Sequence, residues 1–87
     1  AVPELTAHWD GYMAALQTHE DGHRDFGIHS AREVEQQIRA LPAHGSCREL
    51  EAAANAAGYR VLDKYRAQEL TYDRDTRHGA TQGAVFP

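Results

Sequence analysis

The chain has 87 residues, of which 25% are charged and 41% hydrophobic, and its formal net charge is −4. This length suits one small domain, and the acidic balance argues against nucleic acid or an anionic membrane surface as a partner. No apolar run approaches the roughly 20 residues that cross a bilayer, so we expect no membrane span. The aliphatic residues are mostly Ala and Leu, which favours helices over a sheet.

The first predicted element is a long helix. Residues 1–5 are expected to form an extended lead-in, after which apolar or small residues recur at steps of four and three. This period predicts one helix over about residues 6–41. Its inner stripe contains Trp9, Met13, Leu16, Glu20, His23, Gly27, Ala31, Val34, Ile38 and Leu41.

A break in this helix is the alternative, because Gly27 is a weak point and Ser30-x-x-Glu33 has the form of a capping box. We prefer the unbroken helix, since the stripe keeps its phase across residues 27–31. Gly27 would then lie on the inner face and allow close approach of another segment.

A second helix is predicted over about residues 47–72, after a break at Pro42 and Gly45. Ser46-x-x-Glu49 is a better placed capping box than the first. The inner stripe of this helix is Leu50, Ala54, Ala57, Val61 and Tyr65, flanked by Ala53, Gly58 and Leu62.

The short connection makes the two helices antiparallel neighbours. This pairing places His23 beside Arg66 and His19 beside Leu70. Residues 73–87 are polar and lack a helical stripe, so they are predicted to form an irregular loop that is ordered only if something holds it. The expected fold is a mainly α, long antiparallel helical hairpin with this loop, in one helical domain or part of a domain over residues 1–87.

Chemistry is concentrated at residues 19–23, which read His19-Glu20-Asp21-Gly22-His23 and have the form H-E-x-x-H. Residues four apart share a helix face, so two imidazoles can bind one metal ion. In zinc hydrolases of this type the glutamate takes a proton from water at the metal. A chance match is the alternative reading, expected in roughly a few per cent of such chains.

A catalytic zinc usually has three protein ligands. The hairpin lets the loop after residue 72 fold back over the motif, which favours His78 as the third ligand. His29 is the alternative, because H-E-x-x-H followed by a nearby His resembles the metzincin pattern. In an unbroken helix, however, His29 points about 120° away from His23 and lies about 9 Å along the axis. An acidic ligand, or no third ligand, also stays open.

Residues across the whole chain resemble the DUF922 family, a bacterial domain of unknown function described as predicted secreted zinc-dependent proteases. The resemblance is carried by Trp9, residues 12–16, the H-E-x-x-H block, Cys47 and residues 72–84. It implies secretion or a periplasmic location, a peptide or protein substrate, and a further N-terminal part, β-rich as in an α+β zincin-like domain. That the chain begins at Ala1 also leads us to expect a processed product, an excised domain or a fragment.

The predicted function is a zinc-dependent peptidase, or the helical metal-binding portion of one. Zinc would bind His19, His23 and His78, and Glu20 would act as the base. Asp73 or Asp75 would accept the second N–H of a ligating His, and Tyr72 would stabilise an oxyanion.

Two readings without catalysis stay open. One is a metal-binding helical interaction module, and the other is a metal-free interaction module with a chance motif. One helix–helix interface buries little apolar area, so either a homo-oligomer or packing against the further N-terminal part is expected to complete the core. Cys47 is the single cysteine, either a free thiol or the partner of a cysteine elsewhere in a longer protein.

Overall fold

The computed structural model describes residues 2–86 and shows two helices, α1 at Val2–Arg39 and α2 at Cys47–Thr76, followed by a short 3₁₀ helix at Ala80–Gln82. The helices pack as an antiparallel hairpin measuring 71 × 18 × 15 Å. Its radius of gyration is 19.5 Å, against about 12 Å for a compact domain of this length. The predicted mainly α hairpin is confirmed, and helix α1 runs unbroken through Gly27.

The helix boundaries differ from the predicted ones. Helix α1 already includes the residues expected to form an extended lead-in, from Val2 onwards, and it ends at Arg39. Helix α2 continues to Thr76, one turn further than expected. Residues 73–87 were predicted to form a loop, but their first part is helical and Ala80–Gln82 form a 3₁₀ turn. Pro87 lies outside the described residues.

Helix α2 has well-formed ends. The Ser46 side chain accepts a hydrogen bond from the Glu49 backbone N–H at 3.1 Å, as the capping box predicted. Glu49 in turn accepts from the N–H of Gly45 at 3.1 Å. At the other end Arg77 and His78 adopt left-handed backbone angles, and the N–H of His78 donates to the carbonyl of Asp73 at 2.8 Å. This six-to-one bond closes the helix and turns the chain back toward α1.

The core between the helices is small. Among residues 2–86 the buried apolar side chains are Ala57 and Val61, both on the predicted inner stripe of α2. The predicted stripe of α1 is wrong in part, because Glu20, Gly27 and Ala31 are exposed. The observed inner face instead passes through His19 and Ser30, which are buried. Neither His19 nor Ser30 belongs to the predicted stripe, which followed the apolar residues.

The pairing of the helices is shifted by three residues from the expected one. His23 lies beside Glu69 rather than Arg66, and His19 lies beside Asp73 rather than Leu70. This shift brings Asp73, in the last turn of α2, level with His19 of the H-E-x-x-H motif, where Leu70 was expected.

The end of the chain folds back on the first part of α1. The Phe86 ring packs edge-on against Trp9 and Tyr12, with centroids 6.0 and 5.6 Å apart. Many large apolar side chains nevertheless stay exposed, Leu5, Met13 and Leu70 among them. Cys47 is an exposed free thiol at the start of α2. Within residues 2–86, neither helix combines the length and the apolar content that a membrane crossing requires.

Candidate metal centre

Two histidines of the motif face α2 and meet one carboxylate there. His19 and His23 lie one turn apart on α1, with ring centroids 4.9 Å apart. Their Nε2 atoms lie 2.9 and 2.8 Å from the same oxygen, Oδ1 of Asp73. His19 is only 3% exposed, so an imidazole occupies a position where a hairpin of this kind normally places an aliphatic side chain.

These three residues form a set that one metal ion could touch. One atom from each of His19, His23 and Asp73 lies within 4.8 Å of the other two. Two imidazoles with a carboxylate suit zinc and other first-row transition metals. The carboxylate comes from Asp73, which the sequence had suggested only as a partner for the outer N–H of a ligating histidine.

The outer nitrogens of both rings also face oxygen atoms. Nδ1 of His19 lies 2.9 Å from Oε1 of Gln82, and Nδ1 of His23 lies 3.4 Å from Oε1 of Glu69. A histidine that binds metal through Nε2 usually donates its Nδ1–H to such an acceptor, which fixes the ring. The residues present therefore fit a bound cation, with both Nε2 atoms directed inward.

Without a cation, His23 and Asp73 form a hydrogen-bonded ion pair. The hydrogen bond with His23 lowers the pKa of the Asp73 carboxyl. Burial lowers the pKa of His23, but its hydrogen bonds with Asp73 and Glu69 raise it by more, so the net shift is upward. The proton in the hydrogen bond between His23 and Asp73 places a positive charge between the two side chains, as a metal ion would.

Tyr72 is packed against the site and does not point into it. Its ring stacks on the ring of His19, with centroids 4.9 Å apart and planes 8° apart. Its hydroxyl donates to the main-chain carbonyl of His19 at 3.0 Å. This is possible because Gly22 leaves room, since a Cβ there would collide with the Tyr72 hydroxyl. The geometry gives Tyr72 a role in holding His19 and does not aim its proton at an oxyanion.

His78, predicted as the third ligand, lies at the edge of the cluster. Its side chain is 85% exposed and its Nδ1 is 3.9 Å from Oδ1 of Asp73. The structure thus brings Asp73, and not His78, between the two histidines of the motif. The cause is the register shift, which places Asp73 beside His19, where Leu70 was expected.

The other predicted site residues lie around the cluster. Glu20 is exposed on α1 immediately after His19. His29 is exposed and remains on the continuous helix, so it does not turn back toward the metal site. Asp75 is exposed, 3.6 Å from the guanidinium of Arg74, and lines an open groove beside Phe26 and Tyr72.

Sequence reasoning missed Gln82 and Glu69 as partners of the two histidines. The pairing of Glu69 with His23 follows from the observed register of the two helices, which the sequence did not reveal. Gln82 lies within the block of residues 72–84 that carried the family resemblance, but its role depends on a turn that no pattern predicted. Thr76 is a further addition, because its hydroxyl lies 3.4 Å from Nδ1 of His19 and accepts from the N–H of Gly79 at 3.2 Å.

The model of one bacterial family, described as "Bacterial protein of unknown function (DUF922)", matches residues 1–79. The chain belongs to the DUF922 family. No curated protein and no solved structure matches the chain. The part matched by the DUF922 model includes His19, Glu20, His23 and Asp73, so the whole candidate metal centre lies within it, whereas Gln82 lies beyond it.

Proposed function

We propose that this protein is a metal-dependent peptidase, or the helical metal-binding portion of one, and that His19, His23 and Asp73 hold the metal ion. The observation that carries the proposal is the convergence of both Nε2 atoms on Oδ1 of Asp73 at 2.9 and 2.8 Å. We assign zinc as the metal because two imidazoles and a carboxylate are a ligand set of known zinc hydrolases.

Glu20 is the proposed base. Successive residues on a helix are about 100° apart, so Glu20 lies about 60° beyond His23, on the side away from Gly22 and Tyr72. Glu20 is exposed, and no hydrogen bond or ion pair within residues 2–86 occupies its carboxylate. It is therefore free to accept a proton from a water molecule beside His23.

The proposed reaction is hydrolysis of a peptide bond. Zinc would supply Lewis-acid polarisation of the water and of the scissile carbonyl. As the water oxygen bonds to the carbonyl carbon, Glu20 takes one proton from the water. Glu20 then gives that proton to the amine nitrogen as the carbon–nitrogen bond breaks. The products are a carboxylic acid and an amine, and Glu20 returns to its starting state.

A groove on the same side of α1 as Glu20 supports a polymeric substrate. It encloses about 360 Å³ and begins at Glu69, the partner of His23. Gly27 and Ala31 line one wall and Arg66 lines the other, with Ser30 between them. The Ser30 hydroxyl is buried and has no hydrogen-bond partner within residues 2–86.

The test of catalysis is Glu20→Gln in the zinc-loaded 87-residue chain, assayed on a quenched-fluorescence peptide library. We expect loss of at least about 100-fold in hydrolysis rate, with zinc affinity and helix content kept, because general-base catalysis contributes on the order of 10²–10⁴. Glu51→Gln, an exposed glutamate on α2 away from the cluster, is the matched control. Hydrolysis that survives Glu20→Gln at the parental rate contradicts the assigned role.

A metal centre that serves stability is the second candidate, favoured by the thin core. Within residues 2–86 only Ala57 and Val61 are buried apolar side chains, and neither lies next to the motif. A metal ion would join α1 to α2 at the motif, away from these two buried side chains, and its binding would contribute to folding. If zinc raises the melting temperature of the chain and the chain shows no hydrolytic activity, the stabilising role is favoured.

A further inference from the structure

We propose that Gln82 is a positioning residue for the metal centre, and that Gln82, oriented by Tyr72, holds the ring of His19 by accepting its Nδ1–H. The inference rests on the proposed metal site, for which it defines the orientation of one ligand. Three contacts carry it. The Tyr72 hydroxyl lies 3.0 Å from the main-chain oxygen of His19, the Gln82 amide nitrogen lies 3.0 Å from that hydroxyl, and the Gln82 amide oxygen lies 2.9 Å from Nδ1 of His19.

The direction of these hydrogen bonds follows from what each atom can donate. A main-chain carbonyl only accepts, so the single proton of the Tyr72 hydroxyl is donated to His19. The hydroxyl oxygen is then left as an acceptor, and the Gln82 NH₂ group must face it. The Gln82 amide oxygen consequently faces Nδ1 of His19, and because this oxygen only accepts, Nδ1 must carry the proton.

The reverse orientation of the Gln82 amide is unfavourable on the same grounds. Its oxygen would face a Tyr72 hydroxyl whose proton is already donated to the carbonyl of His19, and its NH₂ group would face the N–H that Nδ1 carries when Nε2 binds a metal ion. The contact of Tyr72 with Oε1 of Gln82, at 3.4 Å, is longer than its bond to the carbonyl of His19. The observed orientation is therefore the one that suits a His19 bound to metal through Nε2, the nitrogen that faces Asp73.

The backbone between residues 79 and 84 holds Gln82 in place. Gly79 and Gly83 flank the 3₁₀ turn with φ angles of 95° and 98°, a conformation that side chains rarely adopt. The carbonyl of Gly79 accepts from the N–H groups of Gln82 and Ala84, both at 3.0 Å. A Cβ at Gly79 would lie 3.0 Å from Cβ and Cγ of His19, so the turn lies directly against the ring that Gln82 orients.

These contacts fix the orientation of the His19 ring. With Nδ1–H donated to Gln82, the ring cannot rotate without losing that bond, and Nε2 stays directed at Asp73. Such outer partners of ligating histidines typically change metal affinity by about 10–100-fold when removed. The turn at residues 79–84 is therefore part of the metal centre, although none of its side chains touches the metal position.

The test compares three variants of the 87-residue chain. Gln82→Met keeps length and volume but cannot accept a hydrogen bond, Gln82→Glu keeps an acceptor oxygen, and Gln36→Met changes an exposed glutamine of α1 remote from the site. Two measurements are made on each. One is the His19 Nδ1–H resonance in ¹⁵N-labelled protein saturated with zinc, and the other is zinc affinity by competition with a chelator.

We expect the parent, Gln82→Glu and Gln36→Met to show a slowly exchanging Nδ1–H signal for His19, and Gln82→Met to lose it. Zinc affinity should fall about 10–100-fold in Gln82→Met and be kept in the other two. A parent that binds zinc, with Gln82→Met keeping both the signal and the affinity, overturns the positioning role and leaves the metal site standing. A parent that binds no zinc contradicts the metal site itself, and with it the role of Gln82 toward a metal.

Discussion

The phenol of Tyr72 lies on Gly22, one of the two variable positions inside H-E-x-x-H, where even a single methyl group would collide with the hydroxyl. This contact lets the Tyr72 ring stack on His19 and lets its hydroxyl reach the carbonyl of the same residue. The glycine inside the motif therefore serves the packing of the hairpin around the metal centre.

Gly22→Ala should displace Tyr72 and lower the free energy of unfolding by about 1–3 kcal/mol, the usual cost of overpacking. Zinc affinity should fall with it, because His19 loses the ring that stacks on it. Gly27→Ala is the matched control, since nothing lies within 4 Å of a Cβ at that position. Gly27→Ala should raise the free energy of unfolding by about 0.5–1 kcal/mol, because alanine loses less backbone freedom than glycine when it enters a helix. Urea unfolding of both variants measures the contrast, and equal effects would contradict the packing role of Gly22.

The identity of the third ligand can be tested by comparing Asp73→Asn with His78→Ala. Asp73→Asn should weaken zinc binding by at least about 100-fold, because it removes a charged ligand from a set of three. His78→Ala should leave the affinity nearly unchanged, since that side chain is 85% exposed, and His29→Ala should do the same. Asp75→Asn controls for the loss of one negative charge nearby. Isothermal titration calorimetry with zinc measures these affinities. A strong loss of zinc affinity in His78→Ala would restore His78 as the third ligand.

Tyr72→Phe isolates the hydroxyl from the ring. The stacking on His19 is kept, but the bond to the carbonyl of His19 and the acceptor for the Gln82 NH₂ group are both lost. The Gln82 amide is then free to reverse, so zinc affinity should fall by up to about tenfold while the melting temperature changes little. Tyr59→Phe, at an exposed position on α2, is the control. If Tyr72 instead acts on an oxyanion, Tyr72→Phe will slow hydrolysis and leave zinc affinity at the parental value.

The stability of the metal-free chain should depend on pH through the His23–Asp73 pair. The pKa of Asp73 is lowered in the folded chain, so its contribution to stability is present above its ordinary pKa of 3.8 and is lost as the pH falls through the folded pKa. The pKa of His23 is raised, so its contribution to stability is present below its ordinary pKa of 6.5 and is lost as the pH rises through the folded pKa. The melting temperature in EDTA should therefore be highest between these values.

Zinc should reverse the alkaline limb of this profile, because the metal binds neutral imidazoles and its binding releases protons. In saturating zinc the melting temperature should rise, and not fall, between pH 6 and pH 8. The His23→Gln variant should lose both the alkaline decline in EDTA and the rise with zinc. Melting curves followed by circular dichroism measure all four profiles, and parallel profiles with and without zinc would contradict a site at His23.

The sequence by itself determined the helical hairpin and the two histidines of the candidate site. Local signals were enough for both, since the helix period, the capping box at Ser46 and the spacing of His19 and His23 act within a few residues of chain. Only the tertiary structure decided what those histidines meet. A shift of three residues between the helices is invisible to local patterns, because several registers bury similar small side chains, yet it exchanges Leu70 for Asp73 beside His19. The role of Gln82 likewise depends on left-handed turns at residues 77–79 and on room left by Gly22, which are set by contacts between segments more than 50 residues apart in the chain.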